Sequence, residues 1–263
     1  MSTEAERAMS LRWLASRGQP VAAPTPFLDA LLATRNVAIR SVLPWLLLFA
    51  VLALVGSIGY RSLFGSGATV STPAYFACFA IQLTMWLSAR SRQRALAKET
   101  RPWPGATHER PGGWFLASAA LAYGGGAALA LVLFFATPAR TYALSWLGLL
   151  VLSALCSGCV LAGFLRAPVL AVDEPSLAVY RALLAENIHA AAPALAAVPP
   201  ILDVALGNRL PAAYAPWLVA YAALAVVTEL VAYVRSRRPL PPGHYGDPLP
   251  AQTDVDWAPP EPR

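Results

Sequence analysis

The chain has 263 residues, of which 57% are hydrophobic and 13% are charged, and it carries a net charge of +6. Its mean hydropathy is +0.52. Soluble domains carry roughly 25% charged residues, so this composition indicates an integral membrane protein. Six spans of about 20 residues would occupy about 120 residues and leave too few for a large soluble catalytic domain, which excludes most classes of cytosolic enzyme.

Residues 1–40 are predicted to form a cytoplasmic amphipathic segment, and we expect no cleaved signal peptide because these residues contain no suitable apolar run. Thr3 and Glu6 have the spacing of a capping box, and the helix that they open is expected to end at Gly18. A second helix follows a proline-broken linker. Both helices are predicted to be interfacial. Their apolar residues are Met9, Leu11, Trp13 and Leu14, then Phe27, Leu28, Leu31, Leu32 and Ile39, and we expect the second group to lie against the bilayer.

Residues 41–234 are predicted to form a bundle of six transmembrane helices, which makes the fold an all-α integral membrane protein. The fifth span is the most polar of the six, because it carries His189 and Asp203 and is interrupted by Pro199-Pro200. Hydropathy alone therefore leaves a re-entrant segment open at that position. The six spans are Ser41 to Tyr60, Ser71 to Ala89, Trp114 to Ala136, Tyr142 to Leu165, Ile188 to Leu206 and Ala212 to Val234.

The basic residues indicate the orientation, because cytoplasmic loops retain positive charge. With six spans, the N-terminal segment, the second loop from Arg90 to Arg110, the fourth loop and the cluster from Arg235 to Arg238 all fall on one side. The other side has only Arg61, Arg140 and Arg209. Five spans would place the cluster from Arg235 to Arg238 outside. We therefore expect six spans with both termini in the cytoplasm.

Two further cytoplasmic segments flank the last spans. Asp173, Glu174 and Pro175 are typical of a helix start, so an amphipathic helix is predicted from Asp173 to His189. The tail, residues 235–263, is rich in proline and aspartate from Pro239 onward. Such a composition predicts a disordered tail.

Ionisable side chains inside apolar spans are candidates for function. Glu229, Asp203 and His189 are the candidates here, and we interpret them as residues that line a polar path. None lies at the centre of its span, so snorkelling or a structural pair with a loop arginine is the alternative interpretation. Gln82 and Thr84 on the second span are expected to form hydrogen bonds between helices.

Cys156 and Cys159 form a C-x-x-C pattern on the fourth span, and such a pair could exchange disulfides. Packing is the alternative explanation, because Ala154, Gly158 and Ala162 recur every four residues and predict a small-residue face that lets helices approach closely. No catalytic residue, metal site or cofactor is predicted.

The long basic inner loop from Arg90 to Arg110, the short outer loops and the amphipathic segment before the first span give the chain a recognisable layout. This layout resembles the membrane half of a type-2 ABC exporter. The resemblance implies a permease-like, transport-associated subunit. The chain has no nucleotide-binding signature, so an ATPase partner would be a separate cytoplasmic protein.

Two other functions stay open, a membrane-embedded thiol redox enzyme that uses Cys156 and Cys159, and a non-catalytic accessory or scaffold subunit. Lys98 is the single lysine, and the abundance of Ala, Pro, Gly and Arg is typical of a GC-rich bacterial genome. We therefore expect a bacterial plasma (inner) membrane, with membrane lipid, other membrane subunits or further copies of the chain as partners. Nucleic acid is not expected as a partner, since topology explains the positive charge.

Overall fold

The structure is a computed structural model that describes residues 4–36, 42–65, 71–100, 103, 111–206 and 212–249. It is mostly helical, with one short pair of strands. The elements in chain order are α1 Glu4–Ser16, β1 Val21–Pro24, α2 Pro26–Asn36, α3 Val42–Phe64, α4 Thr72–Glu99, α5 Gly113–Ala119, α6 Gly126–Ala136, α7 Arg140–Leu165, α8 Glu174–Ile188, α9 Pro200–Leu206, α10 Ala215–Ser236 and β2 Gly246–Pro248. The predictions for Thr3, Ile39, Arg101, Arg110, Arg209 and residues 250–263 lie outside the described residues.

Four helical segments within the described chain are long and apolar enough to cross a membrane, namely Gly113–Ala136, Arg140–Leu165, Glu174–Ala205 and Ala212–Ser236. Three of them coincide with the third, fourth and sixth predicted spans, whereas Glu174–Ala205 combines the predicted amphipathic helix from Asp173 to His189 with the fifth predicted span. The first two predicted spans fall on α3 and α4, which are not among these four segments. The helical, membrane-type character of the chain is therefore supported by the structure.

The fifth span is interrupted over most of its length. After α8 ends at Ile188, the chain forms two short 3₁₀ turns, His189–Ala191 and Pro193–Ala196, and α9 begins at Pro200. Between the turns, Ala192 has a φ of +29°, a conformation that residues other than glycine adopt rarely. We refer to residues 189–199 as the broken segment. The predicted break at Pro199-Pro200 thus begins ten residues earlier than the prolines suggest, at His189.

The start of α8 follows the sequence prediction. The Asp173 carboxylate accepts a hydrogen bond from the Ser176 backbone N–H at 2.8 Å, and the Ser176 hydroxyl oxygen accepts one from the Asp173 backbone N–H at 3.0 Å. This reciprocal pair satisfies backbone donors that the first turn of a helix leaves unbonded. It fixes the beginning of the helix that leads into the broken segment.

The small-residue face predicted on α7 is not where α7 packs most closely. A Cβ added at Gly158 would meet no atom within 4 Å, whereas one added at Gly163 would clash with Nε1 of Trp86 on α4. Gly126, after a π-helical turn at Ala120–Gly125, similarly faces the hydroxyl group of Tyr221. The prediction for Gly158 is therefore wrong, because its position points away from the neighbouring helices.

The two N-terminal helices bury their apolar faces against the rest of the protein. Trp13 and Leu14 of α1 are 5% and 0% exposed, and Leu28, Leu31 and Leu32 of α2 are 1–2% exposed. They share one hydrophobic cluster with residues of α7 and α8. The prediction that the apolar residues of α2 lie against the bilayer is therefore wrong for these leucines, because they are covered by other parts of the chain.

The beginning of the C-terminal tail is ordered. Leu240 and Tyr245 are buried, the Leu240 N–H donates to the Arg17 carbonyl oxygen at 3.0 Å, and β2 pairs antiparallel with β1. Two apolar side chains and a short strand thus anchor this proline-rich stretch to the N-terminal segment. The prediction of a disordered tail from Pro239 is wrong for residues 239–249.

Candidate functional site

The broken segment leaves backbone carbonyl groups without helical partners inside the bundle, where an unbonded polar group is costly. Side chains from other helices donate to them. The Ala191 carbonyl oxygen accepts from Nε2 of Gln82 at 2.7 Å and from the Ser157 hydroxyl at 2.8 Å. The Ala196 carbonyl oxygen accepts from the Tyr75 hydroxyl at 2.7 Å. The interruption is therefore supported by the side chains of α4 and α7.

These contacts extend into a column of polar groups through the middle of the bundle. The Tyr123 hydroxyl donates to the Ser157 hydroxyl oxygen at 2.7 Å, and Nε1 of Trp146 donates to the Tyr75 hydroxyl oxygen at 2.8 Å. The predicted interhelical role of Gln82 is confirmed. The Thr84 hydroxyl, by contrast, is buried without a hydrogen-bond partner among the described residues.

At one end of the column lies a group that we call the closed cluster, Asp203, Ser71 and Tyr142. One carboxyl oxygen of Asp203 accepts from the Ser71 backbone N–H at 2.9 Å. The other accepts from the Ser71 hydroxyl at 2.6 Å and from the Tyr142 hydroxyl at 3.1 Å. Asp203 is 2% exposed and Ser71 is fully buried. This carboxyl group joins the starts of α4 and α7 to α9, and its bonding capacity is largely used.

At the other end lies a group that we call the open cluster, His189, Glu229 and Ser118. Nδ1 of His189 lies 2.8 Å from one carboxyl oxygen of Glu229, and the Ser118 hydroxyl donates to the other at 2.7 Å. The imidazole ring lies edge-on between the rings of Phe115 and Tyr233, with centroid distances of 5.6 Å to each. Aromatic packing and one carboxylate therefore fix the orientation of this histidine.

Two cavities meet at the open cluster. A cavity of about 740 Å³ lies between the ends of α5, α8 and α10 and the start of the tail, and we call it the basic cavity. A second cavity of about 530 Å³, the apolar cavity, lies between α4, the broken segment and α10. His189 lines both, and Glu229 lines the apolar cavity. The side-chain exposures of His189 and Glu229, 10% and 15%, are consistent with this position.

The basic cavity takes its charge from four arginines, Arg17, Arg181, Arg235 and Arg238. Arg17 is 4% exposed and forms an ion pair with Glu186, and its guanidinium also donates to the Arg238 carbonyl oxygen at 2.7 Å. This contact joins α1, α8 and the tail. Three regions distant in the sequence thus form one cavity wall.

The structure brings together two of the three residues predicted to line a polar path. His189 and Glu229 are in contact, whereas Asp203 belongs to the closed cluster at the opposite end of the broken segment. Cys156 is half-buried, Cys159 is exposed, and both are free thiols. Within the described residues, no group of three or more His, Cys, Asp or Glu side chains is placed to hold a metal ion.

Sequence reasoning missed the partners of the acidic residues and the convergence of the arginines. Ser71, Ser118 and Tyr142 are ordinary residues of apolar spans, and only the rotation of each helix aims them at a carboxyl group. In the sequence, the arginines around the basic cavity indicate only the orientation in the membrane and, for Arg17, an interfacial helix. The buried ion pair between Arg17 and Glu186 joins residues that are far apart in the sequence, and no periodic pattern predicts such a contact.

Comparisons with protein-family models, curated proteins and solved structures gave no match to this chain. The two polar clusters and the two cavities are therefore the features of this molecule that bear on its function.

Proposed function

We propose that this protein is a transport-associated, permease-like membrane subunit with six spans and both termini in the cytoplasm of a bacterial cell. The coincidence of α3 and α4 with the first two predicted spans supports the count of six. The excess of basic residues on one side supports the orientation. The C-terminal ends of α4, α7 and α10 would then face the cytoplasm, together with the basic cavity.

The observation that carries this proposal is the broken segment itself. In transporters, interrupted helices near the middle of the membrane build binding sites, because their unbonded backbone groups and flanking polar side chains face the substrate. Here the interruption spans residues 189–199 and is supported by buried side chains such as Gln82 and Ser157. A protein that only held other subunits together would gain nothing from such an interruption.

The two ends of the broken segment favour a conformation that is open toward the cytoplasm. The open cluster is reached from two cavities, while Asp203 and its partners close the opposite end. In this arrangement His189 and Glu229 would orient a substrate between the basic and the apolar cavity. Their side chains would supply a hydrogen-bond donor and an acceptor at that point.

Thiol accessibility tests the polar path. In a chain whose three native cysteines are replaced by serine, Leu195→Cys places a thiol on the apolar cavity, and Leu155→Cys places one on the exposed apolar face of α7. A charged, water-soluble thiol reagent should modify the Leu195→Cys chain at least about tenfold faster, because only a hydrated thiol ionises to the reactive thiolate. Equal rates would show that water does not enter the cavity and would contradict a path.

Co-purification tests the transport assignment. The tagged chain is extracted from its native membrane in mild detergent, and bound proteins are identified by mass spectrometry. A stoichiometric ATPase is the expected partner. Recovery of the chain alone, or with membrane subunits that carry no ATPase, would contradict a type-2 exporter arrangement and favour the accessory role.

A further inference from the structure

We infer that the basic cavity is a binding site for an anionic amphiphile, a molecule with a phosphoryl head group and an apolar chain. This inference goes beyond the proposed function, because the binding that it describes requires neither transport nor an ATPase. It would be measured on the purified chain.

The charge of the cavity fits a phosphoryl group. Four arginine residues line it, and no carboxylate is among the described residues of its lining. Arg17 is paired with Glu186, and Arg235 and Arg238 add further positive charge to the lining. Guanidinium groups bind phosphate oxygens through paired N–H donors, so Arg235 and Arg238 at the mouth suit a phosphoryl head group.

The rest of the lining fits an apolar chain. Trp114, Phe115, Leu184, Ile188 and Leu240 form the wall next to the arginines. A free inorganic anion has no apolar part that could contact this wall. The volume of about 740 Å³ lies within the range of small-molecule sites, roughly 300–1,000 Å³.

The position of the cavity also suits a molecule from the membrane. It lies where α5 begins at Gly113 and α10 ends at Ser236, which is the level at which apolar spans give way to polar segments. Arg235 stacks over the ring of Trp114 at 4.7 Å. Tryptophan and arginine side chains are typical of the head-group region, where the apolar ring lies beside lipid chains and the charge beside phosphates.

Native mass spectrometry of the full chain in detergent, titrated with phosphatidylglycerol or phosphatidylcholine, tests this inference. We expect one molecule of phosphatidylglycerol to bind per chain. Its affinity should be higher than that of phosphatidylcholine. The double variant Arg235→Gln/Arg238→Gln should weaken phosphatidylglycerol binding roughly tenfold or more, because each basic residue near the head group contributes several-fold to affinity. The matched control Arg166→Gln/Arg237→Gln loses the same charge from exposed residues outside the cavity lining. It should change the affinity by less than about twofold, because outside charges act only through screened, long-range attraction.

Two further measurements complete the test. Competition by small phosphates distinguishes a lipid head group from a free phosphate, and a variant of an apolar lining residue tests the chain-binding part of the cavity separately from the arginines. Inorganic phosphate and glycerol phosphate should compete weakly with the lipid, since they lack the chain. Trp114→Ala, a change at a side chain that is 43% exposed, should weaken the binding of phosphatidylglycerol by a larger factor than the binding of glycerol phosphate, because only the lipid has a chain that contacts the ring. Equal weakening in both double variants, no preference for phosphatidylglycerol, or strong competition by inorganic phosphate would each overturn the inference.

Discussion

The closed and the open cluster place the same kind of group, a carboxyl side chain on an apolar span, in opposite circumstances. Asp203 accepts three hydrogen bonds at 2.6–3.1 Å and is 2% exposed. Glu229 accepts a hydrogen bond from Ser118, lies next to Nδ1 of His189 and lines a cavity. An acidic residue in a span is therefore not by itself a sign of function. What distinguishes the two is whether protein donors use up the carboxyl oxygens or leave them next to a space that a ligand can enter.

Replacement of Asp203 by alanine should produce the largest effect. It would leave the Ser71 N–H, the Ser71 hydroxyl and the Tyr142 hydroxyl buried without an acceptor. Each such loss costs about 1–3 kcal/mol, so the three together should lower the free energy of unfolding by roughly 3–9 kcal/mol. Titration of the purified chain with sodium dodecyl sulfate in mixed micelles, followed by tryptophan fluorescence, measures this.

The conservative variant Asp203→Asn serves as the control. Asparagine keeps one oxygen acceptor at nearly the same size, so it should lose only about half as much free energy as alanine does. If Asp203→Ala unfolds at the same detergent fraction as the natural chain, the closed cluster is not a structural lock and the comparison with the open cluster fails.

The sequence was sufficient to identify the ionisable residues in apolar spans as candidates, but it did not predict which residues they contact. His189, Glu229 and Asp203 stand out by composition alone, and the Pro199-Pro200 break and the α8 start at Asp173 follow from backbone chemistry. Which of the three would meet depends on how each helix is rotated and on how far the break extends. Those features are set by packing between helices, for which a single sequence carries no periodic signal.

The second largest effect is expected where α4 meets α7, the two helices whose side chains Gln82 and Ser157 support the broken segment. In Gly163→Ala, the new methyl group would clash with Nε1 of Trp86, so the helices must separate or the ring must turn. Overpacking of this kind costs about 2–3 kcal/mol. Gly158→Ala, on the same helix and with nothing within 4 Å, should change the free energy of unfolding by less than about 0.5 kcal/mol.

The measurement is the same detergent titration. A loss of stability in Gly158→Ala equal to that in Gly163→Ala would mean that the small-residue face predicted from the sequence does pack against another chain. That outcome would point to a homo-oligomer through the exposed face of α7.

Two matched substitutions of serine by alanine compare the two clusters directly. Ser71 and Ser118 each donate a hydroxyl hydrogen bond to a carboxyl oxygen, at 2.6 and 2.7 Å, and each is fully buried. Ser71→Ala should lower the free energy of unfolding by about 1–2 kcal/mol, because Asp203 cannot recruit another donor. Ser118→Ala should cost less than about 1 kcal/mol, because water in the apolar cavity can bond to Glu229 instead.

Thermal unfolding of the two purified variants in one detergent distinguishes these outcomes. Equal losses would mean that the open cluster is as dry as the closed one, and the polar path through His189 would then lose its support. A larger loss in Ser118→Ala would reverse the assignment of the two clusters.

The smallest effect is expected for the thiols, which lie outside both clusters. The variant Cys156→Ser/Cys159→Ser should unfold within about 0.5 kcal/mol of the natural chain and should keep its co-purifying partners, because Cys159 is exposed and Cys156 is half-buried among apolar residues. A thiol redox enzyme would instead form a disulfide between these two residues under mild oxidation, visible as the loss of two reactive thiols while the third, Cys78, stays reactive. Such a disulfide, together with loss of activity in the double-serine variant, would move the functional centre from the broken segment to α7. Because a thiol in an apolar environment is a poor nucleophile, we expect all three thiols to stay reduced under mild oxidation and the broken segment to remain the centre of the molecule's chemistry.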